Sequence, residues 1–352
     1  MSKRNELLES IANTICDYRE GEIEQPSPKH VDRWIKQFNP SAQEPLLMEL
    51  DYVFKRTYFS KDVFREFLSS CLTNAAFTGP SHLDFWAHAN FLNIQQHGHS
   101  QTEILELFSE ELFNKCGLNV KECGQEEGLT SSTKTFIYLD DILFGGMRVG
   151  NDLCAWIEDE APAIGHVHVV VMAAHLLGEF LCQKRLDQVA IDANKKITFQ
   201  FWASKRLENR RAHRNMSQVL WPAVIPQNTA LKTYIDSEKK FPFELRMPGC
   251  KLKDDIFSSE AGRQLLETEF LLAGVRIRSM SKNPKDKLRP LGFSPFGLGF
   301  GSMLATFRNC PNNSPLALWW GDPEAVSGAL AWYPLLPRKT YAMNPDNNDI
   351  SF

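Results

Sequence analysis

The sequence predicts an α/β fold in which helices flank a mostly parallel sheet, with a helical region before it. Two observations support this prediction. Short β-prone segments alternate with helical patterns over residues 136–202. One of these segments, residues 166–174, is a nearly continuous apolar run, which is typical of a strand buried in a parallel sheet.

The N-terminal region, residues 1–84, is predicted to be helical. Val31, Trp34, Ile35 and Phe38 follow helical spacing, and a second pattern follows Pro45, a residue suited to a helix start. Residues 85–345 are predicted to form the α/β domain, with an insertion rich in proline and lysine around residues 222–258.

Within the α/β domain the predicted elements follow one another closely. Residues 91–94 fit a short strand or a helix end, and Ser100 with Glu103 forms a capping box that opens a helix. The further elements are listed in chain order: strand 136–139, helix 149–157, strand 166–174, helix 178–188, strand 197–202 and helix 259–272, the last ended by Gly274.

Composition and charge exclude several classes of protein. The 352 residues suit one large domain or two smaller ones, and a net charge of −4 gives no general attraction for nucleic acid or an anionic membrane. No stretch reaches the ~20 apolar residues that span a bilayer. The eight cysteines form no Cys-x-x-Cys pair, which argues against a zinc site. We expect a cytoplasmic protein with reduced thiols and no membrane partner.

The main candidate site follows strand 136–139. Asp140 and Asp141 come directly after it, and a loop with Gly145 and Gly146 leads into the next helix. Carboxylates at a strand end can hold ribose hydroxyls or a divalent cation, and a glycine loop at a helix N-terminus can bind a phosphate. The alternative is a turn or helix-cap pair of aspartates.

A second candidate lies before the helix that Ser100 opens. Gly98, His99 and Ser100 offer backbone donors and a hydroxyl, as an anion site needs. The alternative is a well-capped surface helix without a ligand.

Three other groups of residues favour ordinary structural roles. The basic run at residues 205–214 fits a solvated helix face, with a phosphate or nucleic-acid contact as the alternative. His166 and His168 alternate on one strand and favour core or edge positions over metal ligation. The tryptophans favour core positions over a base-stacking wall: Trp319, Trp320 and Trp332.

The central stretch resembles the phosphoribosyl-diphosphate motif of type I phosphoribosyltransferases, which is an apolar strand, two acids, a short loop and a helix. Further segments from residue 30 to 341 resemble the phosphoribosyltransferase-like family of bacterial conflict systems, PRTase-CE. They are residues 34–38, 98–101, 267–270, 308–313 and 332–338. This resemblance implies a bacterial protein that acts with partner proteins of the same defence operon against phage, and some relatives are retron accessory proteins.

By position, the resemblance implies that Asp140 and Asp141 face the ribose and a Mg²⁺-bound diphosphate. The segment Phe144, Gly145, Gly146, Met147 and Arg148 would surround the 5′-phosphate, and Gly98, His99 and Ser100 would form the diphosphate loop.

The chain departs from the Thr-Gly-x-Thr pattern of the fold's enzymes, because Gly145 and Arg148 replace both threonines. Backbone donors remain, and Arg148 could supply a bidentate phosphate contact instead. Three functions stay open: a transferase or nucleotide-cleaving effector, a non-catalytic nucleotide sensor or scaffold, and a nucleic-acid partner that uses residues 205–214.

Overall fold

The computed structural model describes residues 2–95, 100–122, 134–238, 243–250, 256–282, 284–295 and 297–338. Within these residues the chain forms twelve α-helices. They are α1 (Lys3–Thr14), α2 (Pro28–Ile35), α3 (Pro40–Thr57), α4 (Lys61–Leu72), α5 (Ala75–Thr78), α6 (His82–His88), α7 (Ser100–Cys116), α8 (Met147–Asp159), α9 (Leu176–Asp192), α10 (Thr229–Ser237), α11 (Glu260–Ser279) and α12 (Leu316–Trp319). None of the described helices is long and apolar enough to cross a membrane.

The strands confirm the predicted α/β class. They are β1 (Tyr58–Phe59), β2 (Asn90–Leu92), β3 (Lys134–Leu143), β4 (Ile164–His175), β5 (Lys196–Leu207), β6 (Leu288–Arg289), β7 (Gly292–Phe293) and β8 (Ala305–Thr306). Strands β2, β3, β4 and β5 form a parallel sheet in that order. Strand β1 pairs with β8 in parallel, and β6 pairs with β7 in antiparallel.

Contacts divide the chain into two compact units. Of the described residues, those up to 60 and those from 211 to 338 form the first unit, and those from 61 to 210 form the second. The four-stranded sheet, the glycine loop at residues 144–146 and Ser100 belong to the second unit. The boundary predicted between residues 84 and 85 falls inside the second unit, and the division into domains stays a prediction.

Helices cover both faces of the sheet in the second unit. On one face, Phe136 and Val169 share a buried core with Leu153 of α8 and Leu186 of α9. On the opposite face, the ring of Phe91 lies 5.2 Å from that of Phe108 in α7. This alternation follows from the two-residue period of a strand, which sends neighbouring side chains to opposite faces.

The order of the strands reverses at β2. Phe91 pairs with Ile137 of β3, and it also forms a parallel bridge with Glu122, which follows α7 in the chain. Because β3 occupies one edge of β2, the bridge to Glu122 lies on the other edge. The chain after β2 therefore goes first to one side of β2 and later to the other. Ligands of open parallel sheets bind at such a switch point, outside the carboxyl ends of the strands.

The first unit has an aromatic core. Trp34 and Trp332 both donate their indole N–H to the carbonyl of Ala317, at 2.8 and 3.0 Å. Trp319 and Trp320 are also buried, which confirms the core positions predicted for the three C-terminal tryptophans. Buried indoles need an acceptor, and the short helix α12 supplies it.

Two predicted helix ends were wrong. Helix α3 begins at Pro40, with Asn39 as its cap, and runs through Pro45, whose exposed ring costs the helix a single hydrogen bond. Helix α11 continues past Gly274 to Ser279. Gly274 allows close packing, because an added Cβ would lie 2.5 Å from the carbonyl oxygen of Pro290.

Candidate functional site

The two aspartates lie in the last four residues of β3. The strand continues through them to Leu143, so they are part of the sheet and do not form a separate turn. Asp140 is buried, with 3% exposure, and Asp141 is half-buried. Each carboxylate accepts a hydrogen bond from the next backbone N–H: Asp141 N–H to Asp140 at 2.9 Å, and Ile142 N–H to Asp141 at 2.6 Å.

The carboxyl group of Asp140 has an unusual environment. Burial raises its pKa to about 7, and the neighbouring Asp141 charge acts in the same direction. The backbone N–H of Asp141, the guanidinium of Arg148 and a hydrogen bond with Ser100 lower the pKa and only partly compensate. Among the described residues, no Lys or Arg forms an ion pair with Asp140. A buried acid without a paired cation is a candidate functional group.

The glycine loop lies between β3 and α8. Gly146 caps α8 with φ +73°, a left-handed conformation that favours glycine. The first backbone bond of the helix runs from Gly150 N–H to Gly146 C=O at 2.9 Å, so the N–H groups of Met147 and Arg148 precede it. Both of these side chains are exposed. The loop thus combines two backbone N–H groups that have no acceptor among the described residues with a guanidinium whose charge lowers the pKa of Asp140.

Three helices of the second unit begin next to the carboxyl ends of the strands, and they differ in their caps. In α7, the Gln101 N–H donates to the side-chain oxygen of Gln95 at 3.2 Å. In α9, the Leu177 N–H donates to the side-chain oxygen of Asn209 at 2.9 Å. No side chain of the described residues caps α8. The first N–H groups of α8 are therefore better placed to bind an external anion than those of α7 and α9.

The structure brings Ser100 to the same edge of the sheet. Ser100 is the first residue of α7, is buried, and donates its hydroxyl to Gln95 at 3.0 Å. The Ser100 hydroxyl also lowers the pKa of Asp140, so the start of α7 lies near the end of β3. Gln101 strengthens this connection by donating to the carbonyl of Leu139 at 3.5 Å. The predicted loop residues Gly98 and His99 lie outside the described residues.

The aspartate pair has the donor chemistry that Mg²⁺ requires. The described residues contain no group of three or more His, Cys, Asp or Glu side chains that could form a protein-only metal site. Magnesium is usually held by one or two carboxylates, with waters and substrate phosphates completing the octahedron. Asp140 fits this role because burial and the charge of Asp141 disfavour its ionised form, and a bound cation would stabilise that form.

The basic run does not form an open cationic surface. Arg206 pairs with Glu179 at 2.9 Å, and Arg210 pairs with Glu208 at 2.5 Å. In the first unit, Arg211 and Arg214 both pair with Glu244. The acids neutralise much of the charge that a nucleic-acid contact would use.

The two histidines of β4 differ in exposure. His168 is buried and its Nδ1 accepts the indole N–H of Trp202 at 2.8 Å, while His166 is half-exposed and lies within hydrogen-bonding distance of Thr198. The burial of His168 confirms its predicted core position, and the half-exposure of His166 agrees with an edge position.

A family model decides the relationship that these features suggest. The PRTase-CE model matches residues 31–338, which is most of the chain. The chain belongs to the PRTase-CE family. No curated protein matches the chain. For this PRTase-CE protein the phosphoribosyltransferase-like character is therefore established by the family itself, and the parallel sheet is consistent with it.

Sequence reasoning missed the side chains that organise the edge of the sheet. Gln95 and Asn209 decide which helix N-termini are already capped, and His175 and Gly178 lie against the glycine loop. Asn209 offers a weak signal, since it follows the carboxyl end of a strand in a parallel sheet. Gly178 offers none, because its neighbour Phe144 is remote in sequence.

Proposed function

We propose that this PRTase-CE protein binds a phosphoribosyl or nucleotide ligand together with Mg²⁺, and acts as an effector or accessory protein of a bacterial anti-phage defence system. One observation carries the proposal: the buried Asp140, which forms no ion pair with a described Lys or Arg, and the half-buried Asp141 lie beside a helix N-terminus that no described side chain caps. This combination offers separate places for a cation or ribose hydroxyls and for a phosphate.

Each group of residues has a stated role. Asp140 and Asp141 hold the ribose hydroxyls and the Mg²⁺. Phe144, Gly145, Gly146, Met147 and Arg148 surround the 5′-phosphate, with backbone N–H groups and the exposed guanidinium of Arg148 as donors. Ser100, together with Gly98 and His99, is assigned to the diphosphate. When bound, Mg²⁺ would neutralise the charge of that diphosphate.

The reaction class, if the protein is catalytic, is displacement at the anomeric carbon of the ribose: the bond to the acceptor forms as the bond to diphosphate, or to the base of a nucleotide, breaks. The acceptor is a base, a nucleotide or a protein side chain, or it is water in a cleavage of the glycosidic bond. When water is the acceptor, one carboxylate holds the ribose and the other accepts a proton from the water. Arg148 and the backbone donors of α8 hold the phosphate during either reaction.

A second candidate function is a catalytically inactive nucleotide sensor or scaffold of the same defence system. The replacement of both phosphate-loop threonines, by Gly145 and Arg148, favours it. Such a protein would keep the ligand site and signal through partner proteins of its operon, as a retron accessory protein would.

Calorimetry with phosphoribosyl diphosphate, with and without Mg²⁺, tests the ligand site. We expect Mg²⁺-dependent binding by the wild type and its loss in the Asp140→Asn/Asp141→Asn double variant. The matched control is Asp187→Asn/Asp192→Asn, which removes the same charge from two exposed positions of α9. A folded wild type that binds neither phosphoribosyl diphosphate, ribose 5-phosphate nor a nucleotide would overturn the proposal.

The same samples separate the two candidate functions. Release of diphosphate or of a free base from the bound ligand would establish catalysis. Binding without any turnover, in the presence of the operon's partner proteins, would favour the sensor.

A further inference from the structure

The glycine loop rests on the first turn of α9. An added Cβ at Gly178 would lie 1.8 Å from the carbonyl oxygen of Phe144. On the other side of the loop, an added Cβ at Gly146 would lie 2.6 Å from the carbonyl oxygen of Gly178 and 2.8 Å from the Cβ of Cys182. The backbone of the loop and the backbone of α9 are therefore in direct contact through two glycines.

A buried histidine supports the same loop. His175 is the last residue of β4 and the N-cap of α9, and it is fully buried. Its ring stacks on that of Phe144, with centroids 5.2 Å apart and an angle of 29° between the planes. Its Nδ1 lies 3.4 Å from the carbonyl oxygen of Leu143. The side chain of Phe144 in the loop and the backbone of Leu143, the last residue of β3, thus both meet the end of β4.

These contacts fix the place from which α8 starts. The loop between Leu143 and Met147 is three residues long, so it has little freedom once Phe144 and Gly146 are held. The position of the α8 donors relative to Asp140 then depends on α9 as well as on β3. A backbone carbonyl gives way much less easily than the far end of a flexible side chain.

We propose that Gly178 and His175 are positioning residues for the phosphate-binding loop, holding Phe144 and Gly146 so that the N-terminus of α8 meets the ligand's 5′-phosphate. The inference rests on the proposed function, since it assigns a role at that same site. Neither residue touches the ligand in this assignment. Their effect passes through the carbonyl of Phe144 and the ring stacked on His175.

The test compares two glycine-to-alanine variants on neighbouring helices. Gly178→Ala forces the loop away from α9. We expect the affinity for ribose 5-phosphate to fall about tenfold, which is the effect of misplacing roughly one hydrogen bond to the phosphate. Gly150→Ala is the control, because its Cβ would come closest to the flexible guanidinium end of Arg185, at 3.3 Å, and would lie at an ordinary contact distance of 3.8 Å from the Sγ of Cys182. We expect wild-type affinity for ribose 5-phosphate in this control.

A second ligand separates positioning from general damage. The affinity of Gly178→Ala for inorganic pyrophosphate with Mg²⁺ should stay at the wild-type value, because the proposal assigns the diphosphate to the loop that ends at Ser100 and the Mg²⁺ to Asp140 and Asp141. Equal losses for both ligands, or an unchanged affinity for ribose 5-phosphate, would overturn the positioning role. A wild type that binds neither ligand would instead defeat the proposed function itself, so the two failures are distinguishable.

A milder variant covers the case in which Gly178→Ala does not fold. Phe144→Leu removes the ring stacked on His175 but leaves the backbone contact with Gly178 in place, and Phe144 is only half-buried. We expect its affinity for ribose 5-phosphate to fall several-fold with little change in melting temperature. An unchanged affinity in the folded Phe144→Leu protein would overturn the inference.

Discussion

A buried acid in the first unit and a buried acid in the second have opposite surroundings. Glu267 of α11 is 2% exposed and accepts two hydrogen bonds from Arg246, at 3.0 and 2.8 Å, and one from Arg263 at 2.9 Å. Asp140 of β3 is 3% exposed, and the cation that lowers its pKa is the exposed Arg148, with which it forms no ion pair. The two carboxylates are therefore equally buried, but Glu267 is paired with two arginines and Asp140 forms no ion pair with a described residue.

The difference separates a structural acid from a functional candidate. Arg246 also pairs with Glu260 at 2.9 Å, and Arg263 donates to Ser217 and to the carbonyl of Val219. The network around Glu267 is thus satisfied from within the first unit, and it has no capacity for a ligand. The carboxylate of Asp140 can still gain from a bound cation or hydrogen-bond donor, because burial and the neighbouring Asp141 both disfavour its charged form.

The largest effect should come from breaking the paired acid. Glu267→Gln leaves Arg246 and Arg263 buried with too little negative charge, and we expect a loss of about 3–5 kcal/mol in the free energy of unfolding. Chemical denaturation measures it. The control is Glu244→Gln, an exposed acid that pairs with Arg211 and Arg214 and whose loss should change little. A loss no larger than the control's would show that the network is not structural.

The next effect concerns a second buried titratable group of the second unit. Burial, and then the neighbouring His166, lower the pKa of His168 to about 3. The unfolded chain takes up the proton near pH 6.5 and the folded chain does not, so stability is present above that pH and is lost as pH falls below it. We expect His168 to account for about 2 kcal/mol of lost stability at pH 5.

Denaturation curves between pH 7 and pH 5 test this expectation. His168→Gln keeps an acceptor for the indole N–H of Trp202 and removes the titration, so its stability should depend less on pH than that of the wild type. His88→Gln is the control, since His88 is exposed beside Asp84. Parallel pH dependences for the wild type and His168→Gln would contradict the assignment.

Neutralising the unpaired acid should have the opposite sign from neutralising Glu267. Asp140→Asn keeps an oxygen that accepts the Asp141 N–H and removes a buried charge, so we expect the ligand-free protein to gain about 1–2 kcal/mol at pH 7.5. The matched control is Asp32→Asn, an acid that pairs with Arg4 at 2.7 Å and should gain nothing. Destabilisation by Asp140→Asn, measured in chelator, would show that Asp140 is already satisfied.

The sequence predicted the parts of the site that depend on neighbouring residues. Asp140, Asp141, Gly145 and Gly146 follow one another in the chain, so a local pattern of strand, acids, glycines and helix was enough to find them. The same reasoning located the helix that begins at Ser100. Their roles toward a ligand stay predictions.

The remaining features depend on contacts between distant residues. The cap that Asn209 gives to α9 arises only when β5 ends beside that helix, and the contact of Gly178 with Phe144 only when α9 crosses the loop. Gly274 was mistaken for a helix end because its reason for being glycine is Pro290. Local patterns carry no information about such neighbours.

The smallest effect tests the comparison within a single helix. Glu269 lies two residues after Glu267 in α11, yet it lines a cavity of about 340 Å³ with Trp332 and Arg276. Burial raises its pKa, and no described residue forms an ion pair with it. Its charge thus disfavours the folded state once pH rises above the carboxyl's unfolded pKa. Because Glu269 is half-exposed, solvent screens most of the effect, and Glu269→Gln should stabilise by only a few tenths of a kcal/mol at pH 7.

Measured together, Glu267→Gln and Glu269→Gln should change stability in opposite directions, although both remove a carboxylate charge from α11. The gain in Glu269→Gln should disappear at pH 4, where the wild-type side chain is itself protonated. The loss in Glu267→Gln is expected at pH 7, where the substitution leaves the buried Arg246 and Arg263 without their partner. Differential scanning calorimetry at the two pH values measures both. If Glu269→Gln destabilised the protein as Glu267→Gln does, pairing would not be what distinguishes the buried acids of this chain.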